Sequence, residues 1–487
     1  MGRMEQIGFD SEKFIKLQSD KIKSRLKNFD NKLYLEFGGK IFDDYHASRV
    51  LPGYTPDNKV RVLTSFKDDL EIIICVSAKD IITNKIRADF DITYDKEVFR
   101  LIENLTNIGL NINGVVVTMY ENAPGVENFI KEVEFNHIKV YKHYAIEGYP
   151  DNVELILSDR GYGRNEYIKT TKPLVVVCAP GPGSGKLATC LNQLYHEYKN
   201  GVKAGYAKFE TFPVWDVPIV SPINISYEAA TADLHDRNEI DYFHKAAYGI
   251  TSVNYNRDLE AFPVLKNIIT SIMGEEIYKS PTDMGINVIG ECISDIKVCE
   301  EAAKQEIIRR YLKTKLEYKR GHTSLSVVDS THSVMNSIKL TTRNRKVLVE
   351  AEKLAKAQKC DIVAIELHDG KIIFGKEQGM FSASATCLLN AITHLANFKE
   401  DVQILKPEDV EPIVRYKQEL FGEDAKLELS DVFVAMSALS ENDIEIKLIL
   451  EQISKIKDCE VHSTTLLSKA DEDFFRVLRA RLTMMVD

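Results

Sequence analysis

A glycine-rich segment between two apolar stretches carries the residue types best suited to bind phosphate. Residues 180–186 read Pro-Gly-Pro-Gly-Ser-Gly-Lys, after the apolar run 174–178 and before a helical pattern. Glycines let main-chain N–H groups curl around an anion, a helix start adds positive dipole, and the lysine can reach terminal phosphates. The spacing therefore predicts that ATP or a related nucleotide is bound by Gly181, Gly183, Ser184, Gly185, Lys186 and Thr189.

This segment departs from the P-loop consensus, GxxxxGK followed by Ser or Thr, at two positions. Pro180 takes the place of the first glycine, and Leu187 replaces the hydroxyl residue that normally holds magnesium. Thr189 is the candidate substitute, although helix periodicity does not point it where Leu187 points. Because glycine-proline loops also make plain strand-to-helix turns, two alternatives stay open: a turn without a ligand, and a regulatory module that binds a nucleotide or phosphorylated ligand without turnover.

Two lysines outside this segment are the candidates for catalytic groups. Residues 203–213 read as a strand that ends near Lys208 and Glu210, and ligand groups in parallel α/β sheets gather at the carboxyl ends of strands. Lys40 follows a pair of glycines and could recognise an anionic substrate. A solvated strand end and a plain turn are the structural alternatives. The leading hypothesis is an ATP-dependent ligase or phosphotransferase that acts on a small anionic metabolite beside Lys208 and Lys40.

Metal ligands are only weakly indicated. Glu210 and Asp233 are the carboxylates offered for magnesium, and the Asp241–His244 spacing could serve a divalent metal. Asp and His also cap helices, and the capping interpretation is favoured. The sequence has no CxxC pair and no HExxH motif, so we expect no structural zinc and no zinc-protease activity.

Composition and charge exclude several classes of protein. The formal net charge is −10, from 63 Lys and Arg against 73 Asp and Glu, so no global basic excess is available for nucleic acid. Apolar runs are only strand length and residues 1–24 lack a signal-peptide core, so we expect a cytoplasmic protein without membrane contact. The eight cysteines read as small buried hydrophobic residues. A homo-oligomer is left open.

The elements that must position these residues follow an α/β pattern. Helices are predicted from Ser11 to Leu26, capped by Asp10, and near residues 97–105 and 126–133. Continuously apolar strands, rather than alternating ones, indicate a mostly parallel sheet covered on both faces. The predicted strands are 33–37, 70–76, 114–118, 138–141, 153–157 and 174–178.

Three regions are predicted along the chain of 487 residues. Residues 1–223 form the P-loop-like α/β domain, residues 224–358 a helical region, and residues 359–487 a smaller α/β unit. In the last, a hairpin turns at Asp369–Gly370 and helices start near Ser382 and Pro407. The long helices predicted in the middle region are 259–272, 289–316 and 346–358.

Four segments carry a resemblance that covers almost the full chain: Phe37–Gly53, Ala179–Lys186, Lys208–Pro213 and Tyr227–Asp233. They resemble the bacterial DUF1846 family of conserved proteins of unknown function. The resemblance implies a cytoplasmic bacterial protein and no established reaction. The glycine loop and the later strand-end lysine also resemble the dethiobiotin-synthetase-like branch of P-loop enzymes, which implies that Lys208 approaches nucleotide phosphates or substrate.

Overall fold

The computed structural model describes residues 7–87, 92–398, 404–422 and 424–486. These residues form two compact units. The N-terminal unit contains the described residues of 7–228 and residues 234–303, and the C-terminal unit contains residues 229–233 and the described residues from 304 onwards. The predicted domain borders after residues 223 and 358 stay predictions.

The strands are β1 (Leu33–Phe37), β2 (Leu70–Ser77), β3 (Ile86–Arg87), β4 (Ile92–Thr93), β5 (Asn111–Thr118), β6 (Lys139–Lys142), β7 (Leu174–Cys178), β8 (Gly205–Phe209), β9 (Asn238–Ile240), β10 (Val253–Tyr255), β11 (Gly285–Ile286), β12 (Val363–Glu366), β13 (Ile372–Gly375), β14 (Glu460–Ser463) and β15 (Arg481–Met484). The α-helices are α1 (Ser11–Lys27), α2 (Tyr45–Val50), α3 (Asn58–Thr64), α4 (Ala78–Ile82), α5 (Tyr94–Asn107), α6 (Pro124–Phe135), α7 (Val153–Ile156), α8 (Lys186–Lys199), α9 (Pro222–Ala230), α10 (Tyr242–Tyr248), α11 (Asn256–Met273), α12 (Pro281–Met284), α13 (Ile296–Lys319), α14 (Leu325–Ser337), α15 (Lys346–Gln358), α16 (Ala383–Leu395), α17 (Pro407–Phe421), α18 (Leu429–Leu439), α19 (Ile444–Leu450) and α20 (Lys469–Val477).

A seven-stranded parallel sheet organises the N-terminal unit. Its strand order is β11-β8-β1-β7-β2-β5-β6, and every neighbouring pair is parallel. All residues of β2 and β7 are buried, and accordingly β7 is apolar throughout and β2 is apolar from Ile72 to Val76 rather than alternating. The predicted α/β class and mostly parallel sheet are confirmed.

The helices predicted from the sequence in this unit show the expected cap and the expected buried face. Asp10 caps α1, and its side chain accepts a hydrogen bond from the Lys13 amide. Helix α5 buries Val98, Leu101 and Leu105, which recur on one face at helical spacing. The core of the unit is therefore formed by buried strands with apolar helix faces packed against them.

The C-terminal unit has its own sheet and core. The strand order is β13-β12-β14-β15, with an antiparallel β12–β13 hairpin and a parallel β14–β15 pair. Ser382 caps α16 by accepting a hydrogen bond from the Ala385 amide, at the helix start that the sequence predicts. Buried residues of these strands and of α16, α18 and α19 form a separate hydrophobic cluster.

Two predictions about the elements and one about a cysteine are wrong. Residues 153–157 do not form a strand: the Asn152 side chain accepts from the Leu155 amide and starts the short helix α7. The helix predicted from residue 289 begins only at Ile296, because Asp295 accepts hydrogen bonds from the two amides of Lys297 and Val298. Cys360 is exposed, whereas the other cysteines are buried.

The predicted helical region 224–358 contains α10 to α15, together with the short strands β9, β10 and β11. Within the described residues, no helix is both long enough and apolar enough to cross a membrane.

Candidate functional site

The carboxyl ends of three neighbouring strands bring the candidate residues to one edge of the parallel sheet. Glu36 of β1 pairs in register with Lys208 of β8 on one side and with Val177 of β7 on the other. Neighbouring strands lie about 4.8 Å apart, so the segments that follow β8, β1 and β7 are adjacent. In open α/β sheets this edge is where ligands bind.

The glycine-rich loop joins β7 to α8 at this edge, as the sequence predicts. Gly185 adopts a φ of +85°, a left-handed conformation that is unfavourable for residues with a Cβ atom. A Cβ atom there would also lie 2.7 Å from the Thr118 methyl carbon. Thr118 fixes the loop from β5, because its hydroxyl donates to the Ser184 carbonyl at 2.9 Å. A larger residue at position 185 would therefore displace the loop.

The loop presents a run of main-chain N–H groups. Within the described part of the chain, the amides from Gly183 to Ala188 donate no hydrogen bond to a protein acceptor, and the first bond of α8 is from Thr189 N to Gly185 O. Lys186 Nζ curls back to the Gly181 carbonyl at 3.5 Å, and Ser184 Oγ donates to the same carbonyl at 3.1 Å. These amides and the lysine form a concentrated patch of hydrogen-bond donors.

The remaining loop residues differ in exposure. Gly183 is exposed, whereas Gly181 is half-buried and close to the Tyr94 hydroxyl. Leu187 packs against the core of the unit. Thr189 is fully buried, and its hydroxyl accepts a hydrogen bond from the Cys75 thiol at 3.4 Å. A phosphate-binding role for these residues stays a prediction.

Lys208 lies in a cluster of carboxylates. Its ammonium group is 2.7 Å from Glu210 Oε1 and 2.7 Å from Asp258 Oδ2 at the start of α11. Glu36 is next to it in register and accepts a hydrogen bond from the Tyr206 hydroxyl at 2.7 Å. Glu36 and Asp258 were not identified from the sequence. Glu36 could have been found, because it is a charged residue within the otherwise apolar strand 33–37.

The electrostatics of this cluster follow from burial and from these close charges. Burial alone would lower the pKa of Lys208, but Asp258 and Glu210 raise it well above its usual value. Burial raises the pKa of Glu210 to about 7, and the nearby Lys208 only partly opposes this. Lys208 therefore stays protonated with its charge neutralised locally, and Glu210 exchanges a proton near neutral pH.

Lys40 and Asp233 occupy different parts of the structure. Lys40 is exposed just beyond β1, at the same sheet edge as the loop. Asp233 is exposed in a short 3-10 turn and belongs to the C-terminal unit, whereas Glu210 belongs to the N-terminal unit. Among the described residues, no group of three or more His, Cys, Asp or Glu side chains is arranged to hold a metal ion.

The Asp241–His244 pair is a helix cap. The Asp241 carboxylate accepts from the His244 amide at 2.9 Å and from the Thr282 hydroxyl at 2.7 Å. The His244 ring contacts the Ser280 hydroxyl at 2.9 Å. The capping interpretation is confirmed for this pair.

Comparison with known proteins covers nearly the whole chain. Residues 7–339 match the N-terminal domain of unknown function DUF1846, and residues 343–485 match the C-terminal domain of unknown function DUF1846. Proteins named UPF0371 are similar throughout. Those of Clostridium botulinum (strain ATCC 19397 / Type A), Clostridioides difficile (strain 630) and Clostridium tetani (strain Massachusetts / E88) are each 49% identical over 488 residues, which covers 98% of this chain and 97% of theirs.

Proposed function

This chain belongs to the DUF1846 family of unknown function, and we propose that it is a nucleotide-dependent enzyme. In this proposal the loop 180–186 binds the phosphates of ATP or a related nucleoside triphosphate. The terminal phosphoryl group is then transferred to a small metabolite held at the ends of β1 and β8. Positioning and charge neutralisation supply most of the catalysis in such transfers.

The observation that carries the proposal is the run of N–H groups from Gly183 to Ala188 without protein acceptors. A phosphate group has the acceptor oxygens that these donors lack, and the start of α8 adds the positive end of a helix dipole. Lys186 extends over the same loop, so its ammonium can leave the weak 3.5 Å contact with Gly181 for a terminal phosphate.

Magnesium, which usually accompanies nucleoside triphosphates, fits this donor set only in part. Leu187 has no oxygen, and the Thr189 hydroxyl is buried against Cys75. Glu36 lies on β1, which is the neighbour of β7, the strand that precedes the loop. We assign Glu36 as the carboxylate that would lie nearest to Mg²⁺. The ion takes most of its ligands from phosphate oxygens and water in such sites, and it would neutralise charge on the phosphates.

The lysines have different roles in this proposal. Lys208 is already paired with two carboxylates, so it orients Glu210 and Asp258 rather than attracting a free anion. Lys40, exposed at the same edge, is assigned to an anionic group of the metabolite. A small metabolite with an anionic group therefore stays the proposed substrate class.

The direct test is the affinity for a nucleoside triphosphate after Lys186→Ala. A charge-assisted phosphate contact contributes about 1.5–3 kcal/mol, so we expect affinity to fall by at least about tenfold in calorimetry. Lys199→Ala is the matched control, since Lys199 ends the same helix and pairs with Asp159 at 2.9 Å. Equal affinity in the wild type and Lys186→Ala would refute the phosphate-binding loop.

A non-catalytic nucleotide-binding protein is the second candidate. Leu187 favours it, because the hydroxyl that normally holds the metal for turnover is missing at this position. Nucleotide binding without magnesium-dependent turnover, in the presence of a broad set of metabolites, would select this candidate over the enzyme.

A further inference from the structure

Two buried polar groups beside Glu210 lack hydrogen-bond partners among the described residues. They are the Tyr255 hydroxyl and the Trp215 indole N–H. Tyr255 is only 8% exposed, and its ring stacks on Tyr227 with centroids 5.4 Å apart. A buried O–H or N–H without an acceptor is costly, so such groups are usually satisfied by a ligand or by water.

These groups converge on Glu210. A Cβ atom at Gly285 would lie 2.6 Å from the Trp215 ring and 2.8 Å from Glu210 Oε2, so the indole and the carboxylate meet at this glycine. Burial, and to a smaller extent the charges of Glu210 and Asp258, raise the pKa of Tyr255 well above its usual value. Tyr255 directly precedes α11, whose first turn carries Asp258, and Asp258 and Glu210 both contact Lys208.

The charge of the surroundings restricts the ligand group. Glu36, Glu210 and Asp258 carry three carboxylates, and Lys208 is the ammonium placed among them. The excess of negative charge disfavours a carboxylate or a phosphate as the group bound directly to Tyr255, Trp215 and Glu210. A hydroxyl group suits it, because it can accept from Tyr255 or Trp215 and donate to Glu210.

We propose that Tyr255, Trp215 and Glu210 bind a hydroxyl group of a sugar or polyol that accepts the phosphoryl group. This inference rests on the proposed function. The hydroxyl oxygen forms the new O–P bond with the terminal phosphorus of the nucleoside triphosphate, and the bond from that phosphorus to the nucleoside diphosphate breaks with its electron pair on the diphosphate. The hydroxyl proton passes to the Glu210 carboxylate. Lys40 takes an anionic group of the same metabolite.

Trp215 provides a direct binding assay, because it is the single tryptophan of the sequence. Its fluorescence, excited where tyrosine does not absorb, reports on this pocket alone. The probes are a panel of hexoses, pentoses, inositols and glycerol, a panel of mono- and dicarboxylates without hydroxyl groups, and ATP alone. We expect at least one hydroxyl compound to change the emission saturably, and carboxylates to leave it unchanged.

Two variants connect the signal to the pocket. Glu210→Gln should raise the concentration of the hydroxyl compound that gives half of the emission change at least about tenfold. The variant of an exposed residue, Glu103→Gln, should leave this concentration unchanged. Gly285→Ala is permitted by its φ of −83°, but its methyl group would intrude between Trp215 and Glu210 and should remove the response. Far-ultraviolet circular dichroism of both variants should match that of the wild type, which shows that they fold.

The outcomes separate this inference from the proposed function. A response only to carboxylates, no response to any hydroxyl compound, or an unchanged response in Glu210→Gln would overturn the inference. A response to ATP alone that Glu210→Gln removes would also overturn it, because the hydroxyl would then be that of the nucleotide ribose. If Lys186→Ala keeps full nucleotide affinity while the sugar response stands, the proposed function fails and the pocket remains a sugar-binding site.

Discussion

Glu210 should make the stability of the N-terminal unit depend on pH. Burial raises the pKa of this carboxyl from 4.5 to about 7, with Lys208 opposing the shift and Asp258 and Glu36 adding to it. Since the folded-state pKa lies above the unfolded value, the stabilisation is fully present below the unfolded pKa and is lost as the pH rises through the folded pKa. Ionisation in the folded state is therefore the destabilising event.

The magnitude follows from the two pKa values. Between about pH 5 and about pH 8, the folded unit must release a proton that most unfolded chains have already lost, which lowers the free energy of unfolding by about 2.5 kcal/mol. Glu210→Gln keeps the size of the side chain but does not titrate. We expect the variant to lose about 2.5 kcal/mol less than the wild type over the same pH range, whatever pH-independent offset the substitution itself adds.

Equilibrium denaturation followed by Trp215 fluorescence measures this difference, because Trp215 lies in the same unit. The wild type, Glu210→Gln and the exposed control Glu103→Gln are compared at both pH values. The control should follow the wild type. Parallel pH dependence in the wild type and Glu210→Gln would refute the reasoning, since it would show that the buried carboxyl does not change its pKa on folding.

Three further predictions concern metal and thiol chemistry. Because Leu187 supplies no metal ligand, removing magnesium with EDTA should change nucleotide affinity by less than about tenfold, roughly 1.4 kcal/mol. Turnover should stop, because the ion neutralises charge on the phosphates. A collapse of affinity would reveal a strong metal site. Elemental analysis should find no stoichiometric zinc, since CxxC and HExxH are absent, and one tightly held zinc per chain would contradict this. A maleimide should add once to the native chain, at the exposed Cys360, because burial protects the other thiols and raises the pKa of Cys75 to about 12; mass spectrometry should find no adduct on Cys360→Ser.

Local patterns in the sequence were sufficient for the loop and its flanking elements. The run 174–178 is apolar throughout because β7 is buried throughout, and the glycines before Lys186 mark the change to a helix. Asp10 and Ser382 were readable as caps for a similar reason, since a cap is a contact between residues three apart. The run 153–157 was misread because five residues are too few for periodicity to separate a strand from a helical turn.

The candidate site itself was decided by the tertiary structure. The sequence identified Lys208 and Glu210, but Asp258 is 50 positions from Lys208, and Glu36 is 170 positions from the Tyr206 hydroxyl that it binds. Their meeting depends on the strand order β8-β1-β7, in which β1 lies between two strands that come much later in the chain. Strand order is set by which apolar faces pack together across the whole sheet, and no local pattern encodes it. Burial at that junction, rather than residue type, raises the pKa of Glu210 and leaves Tyr255 and Trp215 without partners.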